Sequence, residues 1–385
     1  MNIGDRVQVD IGSIAHGGHC IARHDGEVIF VRHAIPGEKV IVEITEKNSK
    51  IYRGNAIEIV EKSPHRREPV CQYAHSNGCG GCDFQHIAID YQRELKKQIV
   101  NEQFYRIAKK DISCTMIDTA PHDGLHWRTR MEFTVSENRK LALYKSRSHD
   151  LVEISACAIA DQRLNISEIN NRALPIGSKI DVAVSRSGKQ YVASENRENF
   201  DLVDEGIDMA MTVSPRTFWQ SHVNAPRALT QAVLEDSAIT SGDHVFDLYG
   251  GAGLFTSVIA PIVGPTGRVT LIELDKNAIT DARRNFAQLQ QVEVIENSVE
   301  RALKKFVRAD VVVLDPPRKG AGRDVVVAMT QLSPRTISYV SCDPASLARD
   351  SVYLEECGYQ LAGVRAFDLF PMTQHVECVA RFIPA

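Results

Sequence analysis

Apolar and polar residues alternate along Arg6-Val7-Gln8-Val9-Asp10-Ile11, Glu27-Val28-Ile29-Phe30-Val31 and Lys39-Val40-Ile41-Val42-Glu43-Ile44, the period of strands with one buried face. Gly17-Gly18, Asp25-Gly26 and Pro36-Gly37 supply turns between them. Residues 1–62 therefore predict a small OB-like β-barrel. From residue 89 to 110 the period lengthens. Tyr91, Leu95, Ile99, Phe104 and Ile107 recur at threes, fours and fives among charges, which predicts a helix with a solvated face. Strand patterns return at 127–135, 141–144 and 180–192, and residues 225–238 read as an amphipathic helix stopped by Ser241-Gly242. Beyond that, Val311-Val312-Val313-Leu314 and Tyr339-Val340 are apolar runs of the kind buried on both faces of a parallel sheet. The expected class is α/β, with a Rossmann-like domain at 214–385, a central α+β domain at 63–213 and the barrel in front.

The central stretch opens with a linker, Ser63-Pro64-His65-Arg66-Arg67-Glu68-Pro69, and then carries Cys71, Cys79 and Cys82 in a C-x7-C-x2-C array among glycines. Glycines let the backbone turn tightly enough for several sulfurs to converge on one centre. A fourth ligand is needed. Cys157 is the first candidate and Cys114 the second, and four thiolates suit zinc or an iron–sulfur cluster equally. Nine cysteines, an odd number at uneven spacing, point to thiols and a metal site before disulfides. Cys20, Cys357 and Cys378 read as core residues.

A glycine loop follows the strand His244-Val245-Phe246-Asp247-Leu248, as Tyr249-Gly250-Gly251-Ala252-Gly253. The next strand pattern ends in Glu273, about 20 residues on, where a ribose-binding carboxylate stands in nucleotide folds. A nicotinamide site wants a third glycine where this chain has Thr256. Asp247-x-x-x-Gly251-x-Gly253 instead resembles the first motif of S-adenosylmethionine-dependent methyltransferases, and the dehydrogenase reading is the weaker one.

Asp315-Pro316-Pro317 resembles a later methyltransferase motif, but Arg318 follows it where enzymes that methylate exocyclic amines place an aromatic residue. Cys342 and Glu377 stand at further strand tips, so a thiol and two carboxylates are expected to face one mouth. That set suits uracil C5, a poor nucleophile until a thiolate adds at C6. A carboxylate then removes the C5 proton so that the thiol can be eliminated.

Ser341-Cys342-Asp343-Pro344-Ala345-Ser346-Leu347-Ala348-Arg349-Asp350 resembles the nucleophile motif of the RNA 5-methyluridine methyltransferase family, and Phe370-Pro371-Met372-Thr373-Gln374-His375-Val376-Glu377 its general-base motif. Ser214-Pro215-Arg216-Thr217-Phe218-Trp219-Gln220 is similar to the segment that supplies a glutamine, and residues 4–38 resemble a TRAM domain, a small RNA-binding barrel. The resemblance implies Cys342 as nucleophile, Glu377 as base, and Gln220, Tyr249, Glu273 and Asp315 lining the cofactor and uridine pocket. It also implies a [4Fe-4S] cluster on Cys71, Cys79, Cys82 and Cys157, as in the 23S rRNA-type members. Met372 and Leu254 depart from the usual histidine and asparagine, which implies altered pocket polarity.

Charge adds little. A net charge of -4 and a pI near 6.4 give no overall signature of a nucleic-acid binder, so any RNA-binding face has to be local. Arg128 and Arg130, two apart on a strand, are expected to share a face, either holding phosphates or a base or pairing with nearby acids. The start of the chain reads as no secretory signal, and no segment reaches the roughly 18 apolar residues of a membrane span. A cytoplasmic monomer acting on RNA is expected, with 23S rRNA favoured over tRNA. The alternatives are an RNA cytosine-C5 methyltransferase and a non-catalytic iron–sulfur RNA-binding protein.

Overall fold

The computed structural model describes residues 1–48, 51–146, 148–194, 203–205 and 209–385. Strands β1 (Arg6–Ile14), β2 (Cys20–His24), β3 (Glu27–Arg32), β4 (Lys39–Asn48) and β5 (Ile51–Glu61) close into a barrel in the order β1-β2-β3-β5-β4. The alternation does its work here: Val9, Ile11, Ile29, Val31, Val40, Val42 and Ile44 fill the interior. Gly54 lies where β4 and β5 cross so closely that a Cβ would stand 2.5 Å from the Glu43 carbonyl oxygen.

Helix α1 (Ile89–Gln103) continues through one π turn, Phe104–Ala108, and stops at Lys109, whose φ of 55° turns the chain out of the helix. Its buried side holds Leu95, Ile99 and Val100 and also Gln92 and Lys96, polar groups that need partners. Lys96 Nζ finds Asp368 Oδ1 at 2.7 Å and the Phe370 carbonyl at 2.9 Å. Gln92 accepts from the Met372 N–H at 2.9 Å. The helix is thereby fastened to the loop that ends in Glu377.

Strand β6 (Thr115–Ile117) leaves the central stretch and pairs with the carboxy-terminal sheet. The central sheet proper is β7 (Arg130–Val135), β8 (Leu141–Tyr144), β9 (Leu151–Glu153), β10 (Lys179–Val184) and β11 (Gln190–Ser194), ordered β11-β10-β7-β8-β9. One helical turn, α2 (Ile166–Ile169), lies between β9 and β10. A short hairpin of β12 (Val203–Asp204) and β13 (Thr212–Val213) leads out of it.

Helix α3 (Ala225–Ser237) ends at Ala238, in the left-handed region with φ 49°, before the expected stop at Ser241-Gly242. The last layer is one eight-stranded sheet. It contains β14 (His244–Leu248), β15 (Arg268–Glu273), β16 (Val292–Glu296), β17 (Val311–Leu314), β18 (Thr336–Ser341), β19 (Tyr359–Phe367) and β20 (Glu377–Pro384), in the order β16-β15-β14-β17-β18-β20-β19-β6. Strands β14 to β18 run parallel and β20 antiparallel to β18. Helices α4 (Leu254–Val263), α5 (Lys276–Asn285), α6 (Val299–Leu303), α7 (Arg323–Thr330) and α8 (Pro344–Glu356) connect them, so β14, β17 and β18 are buried almost throughout, as their apolar runs require. Among the described residues no helix is long and apolar enough to cross a membrane.

Candidate active site

A cleft of about 1170 Å³ opens beyond the carboxyl ends of β14, β15, β17 and β18. Gln220, Tyr249, Gly251, Glu273, Asp315, Cys342 and Glu377 all line it. Gly253 does not. Its φ of 99° starts α4, and a Cβ there would meet the Phe286 ring at 2.2 Å, so it serves the loop's packing. Gly251 differs, since a Cβ would project into open space from a left-handed φ of 55°. Its lack of a side chain leaves room for a ligand.

Glu273 spans the glycine loop. Its Oε2 accepts from the Gly251 N–H at 3.1 Å and its Oε1 from the Asp275 N–H at 2.8 Å, while a carboxylate retains further lone pairs for a hydroxyl donor. Asp247 lies underneath, fully buried. Its Oδ2 accepts from the Thr256 N–H and hydroxyl, its Oδ1 has no partner, and burial pushes its carboxyl up to about 6.

The opposite wall holds a thiol and two carboxyl groups. Asp315, after β17, is pushed up to about 7 by burial and by Asp247, and Gln220 Nε2 donates to its Oδ2 at 3.3 Å. Glu377 opens β20 with 3% of its surface exposed and Oε1 without a partner, and burial and then Asp315 hold its carboxyl well above the ordinary value. Cys342 is half-buried after β18, and its thiol is pushed up to about 12 by burial, then by Glu377 and Asp315. Arg318 is the cation that acts against these shifts on both Cys342 and Glu377.

The two arginines of the strand part company. Arg130 is buried, with Nη2 on Glu205 Oε1 at 2.9 Å and Nη1 on the carbonyls of Ser214 and Thr217, which makes it a structural pair. Arg128 lines the cleft. Met372 is buried against Trp127 and Ile159, away from the cleft lining, whereas Leu254 does line it. Sequence reasoning missed Asn297 and Ser298, which line the cleft just after β16. The short Val-Glu-Val-Ile-Glu pattern that precedes them was the available signal.

Cys71, Cys79, Cys82 and Cys157 line a second, small cavity of about 30 Å³ with Tyr73, Met131 and Ile159 around them. The Gly81 N–H donates to Cys79 Sγ at 3.3 Å, and burial pushes the Cys82 thiol up to about 12. Among the described residues, no three His, Cys, Asp or Glu side chains are drawn close enough to hold a metal ion. A centre with four thiols and an N–H donor on one wall nevertheless has the donor chemistry of a thiolate metal site. Cys114, the second candidate for fourth ligand, is excluded: it is buried in the carboxy-terminal core with its Sγ turned to the Lys97 carbonyl.

Two family descriptions match the chain: a TRAM domain over residues 2–57 and tRNA (Uracil-5-)-methyltransferase over residues 178–382. An uncharacterized RNA methyltransferase of Streptomyces coelicolor is 37% identical over all of this chain and 94% of its own length. Another, from Streptomyces avermitilis, is 37% identical over all of this chain and 99% of its own. The fold is similar to that of Pyrococcus abyssi tRNA (uracil-54, C5)-methyltransferase, solved with S-adenosyl-L-homocysteine, with a TM-score of 0.73 and 22% identity across 98% of this chain and 99% of that one.

Proposed function

Since the chain belongs to the tRNA (uracil-5-)-methyltransferase family and begins with a TRAM domain, we propose that it methylates C5 of a uridine in RNA, with Cys342 as nucleophile and Glu377 as base. S-adenosylmethionine supplies the methyl group as a sulfonium electrophile. The room beside Gly251 and the spare lone pairs of Glu273 suit its methionine and ribose parts. The observation that carries the reading is that Asp315, Cys342 and Glu377, from three strand ends, face the same cleft as that cofactor wall.

Cys342 gives its proton to solvent and its sulfur bonds to uracil C6, sending electrons toward O4 and making C5 nucleophilic. Arg318 opposes the two carboxylates that hold the thiol proton on. Once C5 carries the methyl group, Glu377 accepts the C5 proton, the C5–C6 double bond re-forms and the thiolate leaves. Asp315, tied to Gln220, orients the base by its polar edge. Because the thiol must reach C6, the uridine has to be unstacked.

The test is nucleoside mass spectrometry of 23S rRNA and tRNA, separated, from a strain lacking the gene. Loss of 5-methyluridine from 23S rRNA is expected. Loss from tRNA instead would reassign the substrate, and unchanged 5-methyluridine in both would overturn the reading.

Cys71, Cys79, Cys82 and Cys157 would hold the [4Fe-4S] cluster, and the four thiols would then tie loop 71–82 to the segment after β9. Anaerobically purified protein is expected to contain roughly four iron and four acid-labile sulfide per chain. Zinc without sulfide would replace the cluster by a zinc site. The enzyme is proposed to act as a cytoplasmic monomer, which size-exclusion chromatography and fractionation check.

A further inference from the structure

The amino-terminal barrel reaches the reacting groups through one loop. Between β1 and β2, His16 Nε2 lies 3.0 Å from Asp343 Oδ2. Asp343 follows Cys342 directly and caps α8, its Oδ1 accepting from the Ser346 N–H at 2.7 Å. Ser341, on the other side of Cys342, bonds back to the Asp343 backbone through its hydroxyl. The thiol therefore sits at the tip of a turn whose far side is held by a residue of the barrel.

The same loop touches the second reacting segment. At Gly18, with φ 77°, a Cβ would stand 2.5 Å from the Cβ of Gln374, three residues before Glu377. The barrel thus packs against both loops that present the chemistry, one by the His16–Asp343 contact and one by the close approach of Gly18 to the Gln374 side chain. Neither His16 nor Gly18 lines the cleft, and the imidazole Nε2 is already engaged by Asp343. Burial acts to raise the Asp343 carboxyl, yet the bonds from His16 and Ser346 hold it below the ordinary value.

We infer that the loop of residues 16–18 is part of the active-site scaffold, with His16 a positioning residue for Cys342 and Gly18 a spacer for the Glu377 loop. The barrel is then not only an RNA-binding attachment. A displaced nucleophile is costly because near-attack geometry supplies much of the rate. The inference rests on the assignment of Cys342 and Glu377 above.

Single-turnover methyl transfer to a uridine-containing RNA transcript, with RNA affinity by filter binding, tests it on the full-length protein. His16→Ala is expected to slow the rate at saturating RNA about tenfold and slow covalent Cys342–RNA complex formation equally, with Kd for RNA within about twofold. His16→Gln, whose amide can still donate to Asp343, is expected to restore most of the rate. Gly18→Ala is expected to slow release of the complex instead, so that it accumulates. An unchanged rate in His16→Ala overturns the inference. So does weakened RNA binding with an unchanged saturating rate, which makes the loop an RNA contact only. Wild-type protein that forms no 5-methyluridine overturns the functional reading and this inference together; the other failures leave that reading standing.

Discussion

On the cleft wall built by β14 and β15, each oxygen of Glu273 accepts from backbone N–H groups, of its own strand end or of the glycine loop, and the carboxylate is held in one orientation. On the wall built by β17, β18 and β20, Glu377 keeps one oxygen without a partner, Asp315 is pushed up to about 7 and the Cys342 thiol to about 12. Glu273 is thus oriented before a ligand arrives, with lone pairs left for binding one. The second wall holds groups whose ionised forms are poorly supported until substrate supplies partners, which is how residues that must take and give protons are arranged. Burying such groups costs stability, and on the proposed reading that cost falls where the chemistry needs it.

The sharpest break of this contrast is Cys342→Ala. It is expected to reduce 5-methyluridine formation to background while RNA affinity holds, and unchanged incorporation of labelled methyl would remove the chemistry from that wall. Next, Glu377→Gln is expected to lower turnover about 10²–10⁴-fold while a denaturant-stable protein–RNA complex accumulates on gels, because addition proceeds and release stalls. Glu273→Ala belongs to the other wall. Losing charge-assisted bonds worth about 1.5–3 kcal/mol is expected to raise KM for S-adenosylmethionine roughly 10–100-fold with a smaller change in kcat. A fall in kcat at constant KM would erase the distinction between the walls.

The smallest effect is on stability. Burial and then Asp247 push the folded-state Asp315 carboxyl from its ordinary 3.8 up to about 7, so between those values the folded chain binds more protons than the unfolded one. Its contribution to stability is present below about pH 4 and is lost as pH rises through 7. Asp315→Asn removes that loss. The melting temperature of the variant relative to wild type is therefore expected to climb from pH 5 to pH 8, by about 2–4 °C for each kcal/mol relieved. A difference that stays flat with pH would mean that Asp315 is ionised without penalty.

The middle of the sheet was legible because strands buried on both faces must be apolar throughout, as Val311-Val312-Val313-Leu314 is, whereas β16, β19, β20 and the pairing of β6 were not read from the sequence. The places of Asp315 and Cys342 were legible for the same reason, just past the carboxyl ends of such strands, whereas residues 370–376 form a loop and Glu377, the first residue of the antiparallel β20, stood out only by its motif. The barrel strands β2 and β5 were harder. Arg23 and His24 blur the alternation of the first, and the second spends Gly54 and Asn55 on closing the barrel. The fate of Arg130 was not readable, since its partner Glu205 lies 75 residues away. Nor was the contact between His16 and Asp343, which depends on how the barrel docks on the sheet.

Strand β6 has a consequence for the order in which the protein is made. Its three residues pair with Arg365, Ala366 and Phe367 of β19, which leave the ribosome 250 residues later. At about 5–20 residues per second that is a wait of roughly 12–50 s. During it, α1 and β6 are finished while the sheet they join does not yet exist. The barrel and the central sheet have time to fold alone, but the clamp of Gln92 and Lys96 on the Glu377 loop can close only as the last twenty residues emerge. Nascent chains arrested before residue 365 should therefore leave the α1 segment open to protease, and release of the full chain should protect it.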